Sequence, residues 1–410
     1  VTYDGAGAQN IPAGGNPQTY VNLVVGGGGG IKSLQGGVIC SGALTVENLV
    51  TLAMGAHTLT VTGASTITGT LDVAGSTLTL TGASVVGGTI TVDDGTVDAN
   101  GTFTAAGGNV TFTGDGDLLL SGVVASLGTL TGSTHGTVTY DAAGAQNIPA
   151  GTDPQTYVNL IVGGAADQTK TLLGDVIVSG DFTTDASVTT AMGTKNLTVA
   201  GATDINGTVT ISSGTLDANG AFDAAGTGDA TGGIITFTDA GNLELSGAVT
   251  SLGALTAVDH GTVTYDGAGA QSIVSDVYVN LIAGGAAGQT KTLAGNVTAS
   301  GAFTTDALVT TAIGGNELDV AGATDINGTV TIAAGTLDAN GTFDATGGNV
   351  TFTAGGNLEL EGAVTSLGTL THTLGTVTYN KGAGNQDIFA DTYFELIVDN
   401  AGTKELTGAV

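Results

Sequence analysis

Arginine and tryptophan are missing from this 410-residue chain, and cysteine occurs once. Its six cationic side chains are all lysine and stand against 36 carboxylates, for a formal net charge of -30. Nucleic-acid binding needs cations to neutralise phosphates, so that class of partner is excluded, and anionic membrane surfaces are disfavoured for the same reason. An acidic surface instead keeps a long molecule soluble and attracts cations, while salt screens its self-repulsion. A lone cysteine, Cys40, builds no internal disulfide; beside Val38 and Ile39 it is expected as a small core residue. No apolar run reaches the roughly 18 residues of a membrane-crossing helix. The apparent strands are too short and acidic for a membrane barrel, so no membrane insertion is expected. Aromatics make up 4% of the chain, too few for a row of immunoglobulin-like sandwiches with aromatic cores.

What the chain has in abundance is internal repetition. Val1-Thr2-Tyr3-Asp4 returns as Val138-Thr139-Tyr140-Asp141, as Val263-Thr264-Tyr265-Asp266 and as Val377-Thr378-Tyr379-Asn380. A Gly/Ala/Gln loop follows, with Gln9, Gln146 and Gln271 at matching places. Next comes a segment opened by Tyr20, Tyr157, Tyr278 or Tyr393, and then a lysine before a leucine: Lys32, Lys170, Lys291 and Lys404. That lysine is expected to cap or flank a turn. The spacings of 137, 125 and 114 residues divide the chain into repeats 1-137, 138-262 and 263-376 and a partial repeat 377-410. Such periodicity means one architectural unit stacked many times.

A shorter period lies inside the long one. Gly63, Gly82 and Gly101 are 19 apart, as are Leu71 and Ile90, Val73 and Val92, and Leu78 and Val97. The first repeat carries 19 residues more than the others between matching points, which reads as one duplicated coil. Within each quantum of 19–21 residues the aliphatic residues alternate, as in Leu71/Val73 and Leu78/Leu80. Period two over four or five residues marks a half-buried strand. Threonine and valine favour the pleat, and Gly, Asn, Asp or Ser bound each run with turn geometry. Three short strands and three turns per quantum give an all-β fold, a parallel β-solenoid, right-handed by the crossover rule. Stacking at about 4.8 Å makes roughly twenty coils into one continuous rod.

The first residue stands inside a full-strength repeat and the last ends in mid-unit. The expectation is therefore of a processed product or a portion of something longer. Bare solenoid ends pair with other chains unless capped, so copies of the chain are expected as partners, stacked end to end. Coils of this length, rich in Gly, Thr, Val, Ala and Asn, resemble secreted bacterial β-solenoid surface proteins of the filamentous-haemagglutinin and autotransporter-passenger kinds. The resemblance rests on period and composition. It implies export to the cell surface and a role in adhesion, biofilm or fibre building, with matrix components as further partners. The leading expectation is an extracellular structural fibre; the alternative is the stalk of an adhesin whose binding tip lies outside this sequence.

Catalysis is not expected. A polysaccharide-active site would need carboxylates with basic residues on one face, and no Ser/His/Asp or paired-carboxylate constellation recurs around His57, His135, His260 or His372. No cofactor is expected apart from divalent cations. The candidate cation ligands are Asp115 and Asp117, in a Gly-Asp-Gly-Asp turn like a fragment of a calcium-binding repeat, although equivalent turns in later repeats lose it. Asp98, Asp217 and Asp338 precede Ala-Asn-Gly and are expected to make side-chain-to-backbone turn bonds. Thr-x-Thr pairs such as Thr89/Thr91 raise ice binding as a remote alternative, but their ranks are interrupted by Asp and Ser.

Overall fold

The computed structural model describes every residue except 16, 133, 152–153, 227–231, 257–258, 372, 400–401 and 409–410. Among the described residues there are 58 short strands and no helix. The strands are parallel and stack as a β-solenoid of about 20 turns. Each turn contributes one strand to each of three faces. The cause is visible residue by residue. In Thr89–Val92 and Thr208–Ile211, alternate side chains are buried and half-exposed. The aliphatic ones point into the coil and the threonines point out.

Register shows how the core is built. Leu71 lies opposite Ile90, which lies opposite Val110, and all three are fully buried. Leu78, Val97 and Leu118 form a second such column. Burying each side chain stabilises the coil by about 1.5–3 kcal/mol relative to exposure. One expected pair is displaced. A bulge after Asp72, where Ala74 has φ of 52°, sets Ala74 rather than Val73 opposite Val92, while both valines remain fully buried. An extra residue at a coil corner is absorbed by such a bulge without moving the core side chains. Cys40 is buried in the core beneath the first faces.

The chain forms two compact units, one over Val1–Val209 and another over Thr210–Gly226 and Ala230–Val410. The division falls inside the second sequence repeat. In the first unit a seven-stranded sheet runs from Thr2–Tyr3 to Val124–Ser126, and another from Gln9–Ile11 to Thr129–Thr131. The third face passes through Gln18–Tyr20, Asp117–Leu120, Thr137–Tyr140 and Asn159–Val162 without a break.

If one coil is the unit of construction, removing residues 70–88 should leave a folded, shorter protein, because stacked repeats add their stabilities nearly independently. Circular dichroism per residue should be unchanged. Loss of the β signal on that deletion would contradict the 19-residue register.

Candidate functional site at the repeat junctions

The long repeat has a structural meaning. Where the second repeat begins, two of the three sheets stop, at Val124–Ser126 and Thr129–Thr131, and new ones start at Gln146–Ile148 and Gln155–Tyr157. The Thr137–Tyr140 strand alone carries its sheet through. In the second unit the same happens twice. Sheets end at Val249–Ser251 and Ala254–Thr256, and again at Val364–Ser366 and Thr369–Leu370. Thr262–Tyr265 and Thr376–Tyr379 carry one ladder through each of these breaks.

A broken ladder orphans backbone groups, and buried orphans are costly. Four side chains that recur at matching places, two tyrosines, a glutamine and a lysine, bond the backbone there. All eight tyrosines form four pairs, Tyr3/Tyr20, Tyr140/Tyr157, Tyr265/Tyr278 and Tyr379/Tyr393, each edge-on with ring centroids 6.4 Å apart. Their hydroxyls meet at 2.9–3.1 Å. Burial pushes the Tyr265 phenol up to about 12 and raises Tyr140, Tyr157 and Tyr278 strongly, so both members of a pair stay protonated at neutral pH. The pair clamps the backbone of one residue. The N–H of Val274 donates to Tyr265 Oη at 3.2 Å, and Tyr278 Oη donates to the Val274 carbonyl at 2.6 Å. Phe389 is held likewise by Tyr379 and Tyr393. The equivalent residues of the first two repeats are Pro12 and Pro149, which have no N–H to satisfy. Proline is tolerated there because no neighbouring strand asks for a donor.

Glutamine supplies side-chain donors at the broken corner, where the Leu120, Leu245 and Leu360 carbonyls also accept the N–H groups of Asp141, Asp266 and Asn380. Gln146 Nε2 donates to the carbonyls of Leu120 and Gly122, both at 2.7 Å. Gln271 does the same for Leu245 and Gly247, and Gln386 for Leu360 and Gly362. The repeated lysine does bond a turn, but from inside the coil. Lys32, Lys170 and Lys291 are completely buried. Lys170 Nζ donates to the carbonyls of Ala142 and Gly144 at 2.6 and 3.0 Å. Lys291 Nζ reaches those of Gly267 and Gly269 and, at 2.9 Å, Gln271 Oε1. Lys32 Nζ donates to Gly5 and Gly7. Desolvation lowers the ammonium pKa of Lys170 and Lys291, and Asp141 and Asp266 respectively oppose it. A glycine completes the joint. Gly136, Gly261 and Gly375 have φ of 95°, 101° and 82°, and a Cβ there would lie 2.2–2.3 Å from the rings of Phe112, Phe237 and Phe352.

Asp115 sits on an exposed turn, 2.8 Å from His135 Nδ1, whereas Asp117 lies in the Asp117–Leu120 strand. Among the described residues no three His, Cys, Asp or Glu side chains converge as a metal site would require. His57 and His135 are half-exposed and His260 is exposed; His372 lies outside the described residues. Asp98, Asp217 and Asp338 are strand residues, not turn residues. Asp98 accepts from Asn100 Nδ2 at 2.9 Å. Asp217 stacks on Glu244, and Asp338 is sandwiched in register between Asp319 and Glu359. Parallel in-register stacking forces identical positions side by side, and here those positions carry like charges. Asp338 Oδ1 is buried without a hydrogen-bond partner. Burial first, then the charges of Glu359, Asp319, Glu361 and Glu317, push Asp338 up to about 6.

No protein-family model, curated protein or solved structure matches the chain.

Two outcomes follow from this geometry. Gln271→Leu would leave the Gly247 carbonyl unpaired, leave the Leu245 carbonyl to the Asp266 N–H alone, and take an acceptor from Lys291 and from the Gly267 N–H, costing about 2–3 kcal/mol in chemical unfolding. A change within about 0.5 kcal/mol of the wild type would mean the bonds contribute nothing. The Asp338 pKa is raised on folding, so its contribution is fully present below the ordinary carboxylate value and lost as pH rises through about 6. Asp338→Asn should therefore raise stability at pH 7, by about 1 kcal/mol after solvent screening, and leave it unchanged near pH 4. An equal effect at both pH values would contradict the stacked-charge reading.

Proposed function

We propose that this protein is a structural element of an extracellular surface fibre, whose copies stack end to end into a filament. The observation that carries the reading is that each junction is crossed by one ladder, a different one each time, on its Thr-Val-Thr-Tyr strand, while buried side chains bond the edges of the broken faces. A chain selected for one reactive site has no need of the same joint at each repeat; a load-bearing array does. Within each unit, strand ladders along the coil axis set many backbone hydrogen bonds beside an aliphatic core. Stacked repeats of this kind build extended surfaces rather than enclosed sites. The surplus of 36 carboxylates over six lysines keeps neighbouring fibres apart and makes bundling depend on salt or multivalent cations.

Electron microscopy of the secreted full-length protein tests the proposal. Filaments of constant width, with a strand repeat of about 4.8 Å in fibre diffraction, are the expected result. They should bundle laterally when salt is raised. Monodisperse particles at high protein and salt concentration would overturn it, and single rods anchored at one end on cells would assign the protein to an adhesin stalk.

A further inference from the structure

One sheet in each unit gathers threonine into an array. In the sheet that runs from Gln9–Ile11 to Thr129–Thr131, the outward residues fall into two columns. Thr51, Thr70, Thr89, Asn109 and Thr129 stand in register along the first. Ala53, Asp72, Thr91, Thr111 and Thr131 stand in register along the second. The sheet from Gln271–Ile273 to Thr369–Leu370 repeats the layout in the second unit. Its first column holds Thr290, Thr310, Thr329, Asn349 and Thr369, and its second holds Thr292, Ala312, Thr331 and Thr351. All of these residues are half-exposed or exposed. Thr-x-Thr pairs that the sequence scatters among Asp and Ser are thus brought together by the coil. Asp72 is the only charged residue in either array, and the stacked carboxylates Asp217/Glu244 and Asp338/Glu359 lie on other sheets. The hydroxyls are held. Threonine is restricted at χ1, and neighbours brace one another. Thr131 Oγ1 donates to Thr111 Oγ1 at 2.8 Å, and Asn349 Nδ2 donates to Thr329 Oγ1 at 3.2 Å.

We propose that these two threonine faces bind ice. Equivalent hydroxyls repeat about 4.8 Å apart from coil to coil, and the two columns stand about 6.6 Å apart along a strand. Water oxygens on the basal and prism planes of ice repeat at close to these two distances, so one layer of water can belong to both the array and the lattice. The hydroxyls bond that layer, and the methyls beside them turn its remaining bonds back among the waters. Each match contributes little, so the array must be ordered before ice arrives. Side chains already braced on a packed sheet lose little entropy on binding. A charged group would instead hold its own hydration shell, and a chain of formal net charge -30 keeps all but Asp72 off these positions. A polysaccharide fits less well, because sugar rings are recognised on aromatic platforms. Neither array holds an aromatic side chain, and all eight tyrosines are engaged in the junction pairs. This inference does not depend on the fibre reading, since a monomer would carry the same two faces.

The probe is ice itself. Thermal hysteresis and inhibition of ice recrystallisation are measured on the full chain, on the double variant Thr111→Lys, Thr331→Lys, and on Thr60→Lys. Thr60 points outward from Leu59–Val61 on a different sheet and serves as the control. The expected result is a gap between melting and freezing points, with crystals that stay small, for the unmodified protein. Both effects should be lost in the double variant and kept in Thr60→Lys, with circular dichroism unchanged in all three. An unmodified protein that shows neither effect would overturn the proposal, whatever the variants do. So would equal loss in the double variant and the control, or full activity in both. Dimers in sedimentation velocity that only the double variant abolishes, without any freezing gap, would assign the faces to a second copy of the chain instead.

Discussion

A solenoid depends on one constraint: every peptide group of a coil is satisfied by the coil before it or the coil after it. Where the coils match, the constraint is met by sequence as simple as Thr-Val-Thr-Ile. Where they do not, the orphaned groups must find side chains or water. The repeat junctions are the places where two of three faces fail to match, and they concentrate the chemistry of this protein. A tyrosine pair takes the N–H and the C=O of one residue, a glutamine takes two carbonyls, and a buried lysine takes the carbonyls of the intervening loop. Carbonyls of the loop bond the ammonium directly and hold the loop in place, while Asp141 and Asp266 act on Lys170 and Lys291 through their charge.

The alternation of aliphatic and polar residues made the fold legible, because a parallel coil imposes period two on each face and a 19-residue period between coils. It reached as far as the pairing of Leu71 with Ile90 and of Leu78 with Val97. It missed the bulge at Ala74, since a corner that absorbs one residue leaves the buried pattern unchanged. The Tyr, Gln and Lys of each repeat were visible as letters recurring in order. Their roles were not, because a lysine beside a leucine reads as a surface residue until a broken sheet is known to lie above it. Asp338 was misplaced for a related reason. The Asp-Ala-Asn-Gly string resembles a turn, yet its first two residues close a strand and only the Asn-Gly turns.

Stacking in register also dictates the electrostatics. Any residue on an outward position sits about 4.8 Å from its counterparts above and below, so repetition of an acid becomes a column of like charge. The columns lengthen along the chain, from Asp98 alone to Asp217 with Glu244 and then Asp319, Asp338 and Glu359. Such columns weaken the coil in neutral solution and discourage lateral sticking, which for an array with many strand edges is a useful exchange.

The central claim is that junction side chains replace the missing ladder locally. Native-state hydrogen exchange on the double variant Gln271→Leu, Lys291→Met tests it most directly. The account expects protection to fall around Thr262–Tyr265 and Asn280–Ala283, while the mid-repeat strands Thr329–Ile332 and Asn349–Phe352 keep theirs. A uniform loss across the second unit, or no loss at all, would contradict it.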